Sequence, residues 1–126
     1  MTPARNRIAR ILMSLLGLSA VGAFAGAAAT IGDFAPDRVG VEIWRMLGYL
    51  VFAGLFVLLG FFPRRLPGLW ELVFFHKAGK VLLLLFVFEA ADPWLTIIVD
   101  SVLSVVTLFC YWLAQGWRAW MAEGNA

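Results

Sequence analysis

The chain carries little charge and a single cysteine. Only 14% of its 126 residues are Asp, Glu, Lys or Arg, whereas 63% are hydrophobic. Soluble domains average about 25% charged residues, so this composition excludes an ordinary soluble protein and favours a membrane protein. The lone cysteine, Cys110, excludes a disulfide within the chain, and we interpret it as a small packing residue.

Motifs for catalysis and cofactor binding are also lacking. The sequence has no phosphate-binding loop, no nucleophile–base pair and no pair of histidines that would ligate haem. Its one histidine, His76, has no second His, Cys or Asp at ligand spacing, so no metal site is predicted. We therefore expect a protein that is not an enzyme and that has no metal and no cofactor. Its ten Lys and Arg residues form no basic patch, so no nucleic-acid partner is expected.

Four long apolar segments are present instead. Each is about as long as the roughly 20 residues that a helix needs to cross a bilayer. The sequence predicts an all-α, integral membrane four-helix bundle that forms a single transmembrane domain over residues 1–126. The predicted helices cover about residues 8–29, 41–62, 70–91 and 94–115. Pro63 and Pro67 separate the middle helices, while Asp92 and Pro93 are typical of an N-cap followed by the first helical position.

The basic residues predict the orientation. If the N-terminus is cytoplasmic, only Arg38 and Arg45 of the ten Lys and Arg residues lie on the outer side, as the positive-inside rule requires. Tryptophans, which prefer the head-group level, agree with this orientation: Trp44 and Trp94 fall at predicted outer ends. We therefore expect an N-in, C-in protein whose first partner is the lipid bilayer.

The first segment also has features of a cleaved signal peptide. It has a basic start, an apolar stretch and small residues such as Ala23 and Ala25 near its end. We prefer a membrane helix, because an apolar stretch of roughly 22 residues is long for a signal. In the same segment Gly22 and Gly26 form a GxxxG pair, which allows helices to approach closely. The pair would pack either within the bundle, which we prefer, or between two copies of the chain.

Polar residues form a stripe in the fourth segment. They follow helical spacing and share one face: Thr96, Asp100, Ser104, Thr107, Tyr111, Gln115 and Arg118. A carboxylate in lipid costs about 3 kcal/mol on insertion scales, so Asp100 is predicted to face protein or water. The stripe would either line a polar cleft or supply hydrogen bonds between helices.

A cluster of ionisable side chains is predicted near the outer side: Glu42 and Arg45 in the second helix, Glu89 in the third and Asp100 in the fourth. Arg45 is the cation closest to these carboxylates, so we expect it to pair with Asp100 or Glu89. Such a pair would either hold the helices in register or belong to a polar pocket or proton path. The predicted ligand or proton site comprises Asp100, Arg45, Glu89, Glu42, Ser104, Thr107 and Tyr111.

A cluster of basic residues lies near the predicted cytoplasmic start of the third helix. Long cationic side chains at this level extend to the lipid head groups and bind anionic lipid. This interpretation is preferred to a metal site. The residues predicted to contact head groups are His76, Lys77, Lys80, Arg64 and Arg65.

The layout of the helices, the turn at Asp92 and Pro93 and the stretch 98–105 resemble the small four-helix bacterial membrane proteins grouped as DoxX-like. That stretch contains the pattern D-x-x-L from Asp100 to Leu103. Some DoxX-like proteins are associated with quinone-linked redox systems, so the resemblance implies an accessory protein of the bacterial inner (cytoplasmic) membrane. It transfers no catalytic residue. Small multidrug-resistance transporters are similar in length, but they carry an essential glutamate in the first helix, which this chain lacks.

These observations favour a non-enzymatic, multi-pass inner-membrane protein. It would bind a lipophilic ligand or act as an accessory subunit of a membrane complex, which the resemblance suggests is quinone-linked. The alternative is a proton-coupled transporter of small molecules that works as a homodimer, with Asp100 taking up and releasing the proton. The expected protein partner is accordingly a second copy of the chain or another membrane subunit.

Overall fold

The structure, a computed structural model, describes residues 3–89 and 93–121. In these residues the chain forms four α-helices and no strand. The helices are α1 (Pro3–Thr30), α2 (Pro36–Phe61), α3 (Leu69–Phe86) and α4 (Trp94–Ala114). Short 3-10 helices follow α1 at Ile31–Asp33 and α4 at Gly116–Trp120. The prediction of an all-α protein is confirmed.

Some helix ends differ from the predicted ones. α1 begins at Pro3 and α2 at Pro36, both before their apolar stretches, because a helix continues into polar flanks and proline costs no hydrogen bond in the first turn. α3 ends at Phe86, earlier than predicted. α4 begins directly after Pro93. Asp92, the predicted N-cap, lies outside the described residues.

Three of the described helical segments are long and apolar enough to cross a membrane. They are α1 with its following 3-10 turn, α2 and α4. α3 is not among them; its 18 residues include the charged side chains of Glu71, Lys77 and Lys80. The membrane character therefore comes from three helices, while α3 as a fourth span and the N-in, C-in orientation stay predictions.

The four helices pack against one another to different extents. α1 packs along both α2 and α4, and α3 packs along α4, whereas α2 and α3 touch over only a short length. At one end, called the basic end, Arg64 donates hydrogen bonds to Oδ1 of Asn6 and to the carbonyl of Ala114, both at 3.0 Å. Arg5 donates to the carbonyl of Trp112 at 3.0 Å. These bonds join the start of α1, the end of α4 and the loop after α2.

The core lies mainly between α1, α2 and α4. Met13, Phe56 and Leu59 are fully buried there. Cys110 is a free, buried cysteine whose Sγ lies 3.9 Å from the carbonyl oxygen of Ala9, so it packs α4 against α1. The most extensive contacts of the bundle are therefore made by α1, which occupies the position between its two neighbours.

Two glycines permit the close approach of α1 and α2. A Cβ at Gly17 would lie 2.9 Å from Cγ2 of Val57 and 3.2 Å from the carbonyl oxygen of Ala53. A Cβ at Gly60 would lie 3.1 Å from Cβ of Met13. Both positions leave too little room for a larger residue, which is how small residues bring helices together.

The predicted GxxxG pair, Gly22 and Gly26, does not lie at the contact between α1 and α2. A Cβ at Gly22 or Gly26 would meet nothing within 4 Å among the described residues. The preferred prediction, that this pair packs within the bundle, therefore does not match the described structure, because α2 lies against the face of α1 that carries Gly17. The other prediction, a contact between two copies, is left open.

We expect Gly17→Ala to lower the free energy of unfolding by about 1 to 3 kcal/mol, because Val57 and a backbone carbonyl must move to accept the methyl group. Gly22→Ala is the matched control in the same helix and should be neutral or slightly stabilising, since alanine favours the helix. Unfolding by a denaturing detergent, followed by circular dichroism, measures both. Equal losses would contradict the packing described here, and a loss at Gly22 alone would point to a contact between copies.

Candidate functional site

A buried ion pair with a second cation connects α3 and α4. Asp100 on α4 is only 5% exposed. Its Oδ1 lies 3.8 Å from Nζ of Lys77, and its Oδ2 lies 3.3 Å from Nζ of Lys80. Lys77 is buried, whereas the side chain of Lys80 is 47% exposed. We call these three residues the Lys–Asp–Lys cluster.

The local sequence explains why these side chains meet. Lys77 and Lys80 are three residues apart and therefore lie on one face of α3. On α4, Ile97, Asp100 and Ser104 follow helical spacing and are all buried, so this face of α4 is turned inward. Since α3 and α4 run antiparallel, the two faces meet along their length, and the carboxylate reaches both ammonium groups.

Phe52 of α2 completes the surroundings of the cluster. Nζ of Lys77 lies 4.0 Å from the centroid of the Phe52 ring, which is a cation–π geometry. The ring of His76 lies 4.6 Å from the same centroid. Phe52 is therefore the point at which α2 reaches α3. Gly48 lies one turn before Phe52 on the same face, and a Cβ there would meet nothing within 4 Å of the described residues.

Hydrogen bonding around the cluster is incomplete among the described residues. Oδ2 of Asp100 has a cation nearby, yet it accepts no hydrogen bond of good geometry. Ser104 donates to the carbonyl oxygen of Asp100 at 2.7 Å, within its own helix. The hydroxyl of Thr107, one turn further along, is buried without a partner. Buried polar atoms are usually paired. These two atoms on the inward face of α4 could therefore form hydrogen bonds with a bound polar group.

The predicted pairing of Arg45 with Asp100 or Glu89 is not what the structure shows. Arg45 donates to Tyr49 at 2.9 Å and to Glu42 at 3.4 Å, both on its own helix. Glu42 is buried and has a second cation, Arg38, at 3.3 Å. Neighbours one turn away on a helix are always within reach, so Arg45 needs no partner from another helix.

The remaining members of the predicted outer group are separated as well. Glu89 is exposed and follows the end of α3, and the ion pairs of Asp100 are with Lys77 and Lys80 instead. Glu42 belongs to α2 and pairs there. The structure therefore divides the predicted outer group. Asp100 joins the lysines of α3, and Glu42 forms a separate ionic group with the arginines of α2.

The two lysines predicted to contact head groups both lie near Asp100. Lys77 is buried against Asp100 and Phe52, which places its ammonium inside the bundle. Lys80 also faces Asp100, although half of its side chain is exposed. His76 remains an exposed residue. The reason is position: Lys77 follows the start of α3 by more than two turns, about 12 Å along its axis.

The two arginines of that prediction have different surroundings. Arg64 joins helices at the basic end, and its pKa is lowered by burial and by the nearby charge of Arg118. Arg65 is exposed, with its guanidinium 5.9 Å from the ring of Phe62. Arg64 is therefore a structural residue as well as a surface cation, and contact of either arginine with lipid stays a prediction.

Tyr111 belongs to a different cluster from Asp100. Its hydroxyl donates to Oε2 of Glu71 at 2.8 Å, and Nε1 of Trp120 donates to the same oxygen at 3.3 Å. Trp70 is buried and donates to the carbonyl of Pro63 at 2.8 Å. These bonds attach the 3-10 helix after α4 to α3, join α4 to α3, and hold the start of α3 to the turn before it. The sequence predicted no site at Trp70 or Glu71, although an acidic residue within an aromatic segment was a usable signal.

Comparisons with known proteins add no relative. Neither the protein-family models nor the curated proteins nor the solved structures include a match to this chain. Within residues 3–89 and 93–121, no group of three or more His, Cys, Asp or Glu side chains is placed to hold a metal ion. The geometry of the Lys–Asp–Lys cluster indicates its possible chemistry. It can pair with an anion, accept or donate hydrogen bonds, or exchange a proton.

Proposed function

We propose that this chain is a non-enzymatic, multi-pass protein of the bacterial inner membrane, with both termini in the cytoplasm. It binds a lipophilic ligand with a polar head, or docks on a partner subunit of a membrane complex, at the Lys–Asp–Lys cluster. The observation that carries this proposal is a buried carboxylate on the long apolar helix α4, with two cations of α3 beside it. Charged groups inside a membrane are costly and usually serve a function.

The cluster contains more than a structural ion pair requires. One lysine would neutralise Asp100 and hold α3 in register with α4, and Lys77 is placed to do so. Lys80 adds a second cation, with half of its side chain exposed. Apolar walls with a few converging polar groups are the usual character of a ligand site. The second lysine therefore favours a binding role over a purely structural one.

The limited contact between α2 and α3 leaves a place for a ligand. α2 and α3 touch over a short length, and Phe52 of α2 contacts His76 and Lys77 of α3. Next to this contact, a Cβ added at Gly48 would meet nothing within 4 Å among the described residues. We call the space between these helices the α2–α3 cleft. An amphipathic molecule could lie there with its polar head at the cluster.

Native mass spectra test this proposal. The protein would be released from nanodiscs made from its source membrane, and compared with a variant in which Lys77→Met, Lys80→Met and Asp100→Leu neutralise the cluster. We expect the wild type to retain an added mass of a few hundred daltons or a second polypeptide, and the neutral variant to lose it. A bare monomer for both proteins would overturn the proposal, and so would a partner that both retain equally.

The alternative is a proton-coupled transporter that works as a homodimer. The observation in its favour is the face of α1 with Gly22 and Gly26, which no described residue of the bundle covers and which a second copy could contact closely. Asp100 would then carry the proton. A clean homodimer with nothing else bound, in the same spectra, would favour this alternative over the ligand-binding protein.

A further inference from the structure

The Lys–Asp–Lys cluster has an excess of positive charge. With all three side chains ionised, two ammonium groups face one carboxylate. No other carboxylate of the described residues forms an ion pair with Lys77 or Lys80; the remaining ion pairs join Glu42 to the arginines of α2. An anion would therefore balance the cluster, whereas a further cation would be repelled.

The exposure of Lys80 makes this balance important. Half of its side chain is exposed, whereas Lys77 and Asp100 are buried. A charged side chain that is exposed on a helix of a membrane protein needs a partner or water nearby. Lys80 is therefore the member of the cluster that a bound anion can reach.

The surroundings of Lys80 fit an amphiphile better than a free anion. His76 lies one turn earlier on the same face of α3 and is exposed, so a second polar group accompanies the ammonium. Leu83, three residues further along, is 48% exposed and continues that face as an apolar surface. A molecule bound here would place its head at His76 and Lys80 and its chain along apolar side chains.

From this arrangement we infer that the Lys–Asp–Lys cluster binds the anionic head, a carboxylate or a phosphate, of an acyl-chain lipid that enters the α2–α3 cleft. This inference rests on the proposed function and names the class of its ligand. Lys80 contacts the head group directly. Lys77 remains paired with Asp100 and acts as a positioning residue, because its ammonium is held between the carboxylate and Phe52.

Lipid selectivity tests the inference. The full chain would be placed in nanodiscs of dioleoyl phosphatidylglycerol, of dioleoyl phosphatidylcholine, or of the latter with added oleate. Native mass spectra would then count the lipids that remain bound. We expect retention of the anionic lipid to exceed that of the zwitterionic lipid by about tenfold, the size of one charge-assisted hydrogen bond. Preference for phosphatidylglycerol would identify a phosphate head, and preference for oleate a carboxylate head.

Three variants make the test specific. Lys80→Gln leaves Lys77 paired with Asp100 and makes the cluster neutral, so the anionic preference should fall to about onefold. Lys80→Arg keeps the charge and should retain the preference. Arg7→Gln removes an exposed cation near the N-terminus and should change nothing. Circular dichroism would verify that each variant remains helical.

Each contrary result has a distinct meaning. Equal retention of anionic and zwitterionic lipid by the wild type would overturn the inference, as would an unchanged preference in Lys80→Gln. An equal loss in Arg7→Gln would show that surface charge alone attracts the lipid. Retention of a neutral amphiphile that depends on Lys80 would overturn the anionic class and leave the proposed function standing. No retained molecule from any membrane, the source membrane included, would remove both.

Discussion

Replacement of Asp100 by leucine is expected to lower the free energy of unfolding by about 3 to 5 kcal/mol, the typical cost of removing one partner of a buried ion pair. The reason is the lysine left behind. Lys77 is only 7% exposed, so its ammonium would lose its counter-ion in a place that water does not reach. Lys80 would suffer less, because half of its side chain is exposed.

The measurement is unfolding of the purified protein in mixed micelles, followed by circular dichroism as the denaturing detergent increases. The variant with Lys77→Met, Lys80→Met and Asp100→Leu is the control, since it contains no unpaired charge in the cluster. It should recover most of the loss, because replacing a buried ion pair by apolar residues is often neutral or stabilising. A cost below about 1 kcal/mol for Asp100→Leu alone would place the pair in the class of exposed ones.

This result also bears on how ligand binding is tested. A single substitution of Asp100 would weaken binding and folding together, and the two effects could not be separated. Lys80→Gln and the neutral triple variant avoid this problem, because neither leaves a buried lysine without its carboxylate. Loss of a ligand from these variants therefore reports on the site itself.

Trp70→Ala should have an effect of similar size, about 3 to 5 kcal/mol, as is typical for removing a buried aromatic side chain. Trp70 is only 1% exposed, and its indole donates a hydrogen bond to the carbonyl of Pro63. Its ring packs edge-on against Tyr111, with centroids 5.9 Å apart. The substitution would leave a cavity at the basic end and an unpaired carbonyl in the turn before α3.

Trp44→Ala is the matched control, because Trp44 is 76% exposed and should contribute within about 0.5 kcal/mol. A second variant tests the packing around Trp70 by adding a methyl group instead of removing the ring. A Cβ at Gly116 would lie 2.5 Å from Cδ1 of Trp70, so Gly116→Ala should cost about 1 to 3 kcal/mol by overpacking. Equal midpoints for Trp70→Ala and Trp44→Ala would show that Trp70 does not hold the basic end together.

Much of the fold was predictable because its determinants are local. Composition and the length of apolar stretches need no tertiary information, and they indicated four helices in the correct order. The inward face of α4 was predictable for the same reason, since a carboxylate and hydroxyls at helical spacing must avoid lipid. Asp100, Ser104 and Thr107 are indeed buried. Tyr111 shares their stripe, but its hydroxyl extends to Glu71.

The partners of these residues were less predictable. Arg45 was the expected counter-ion of Asp100 because both were assigned to the outer half of the membrane. The sequence could not show that Arg45 would instead form an ion pair with Glu42, one turn away on the same helix. It also placed Lys77 at the head-group level, whereas the packing of α3 on α4 brings this lysine to the carboxylate. The choice among several opposite charges depends on relative helix depth, which sequence spacing does not specify.

The amino-acid sequence alone predicts an apolar, all-helical protein with an ionisable group buried in its last long helix. Those properties follow from hydropathy and periodicity, which are summed along the chain. The packing of the helices shows three further features: two lysines of α3 lie beside that group, Gly17 and Gly60 rather than Gly22 bring α1 close to α2, and α2 and α3 make few contacts. Each of these depends on which faces meet and at what depth, and that is settled by packing between helices.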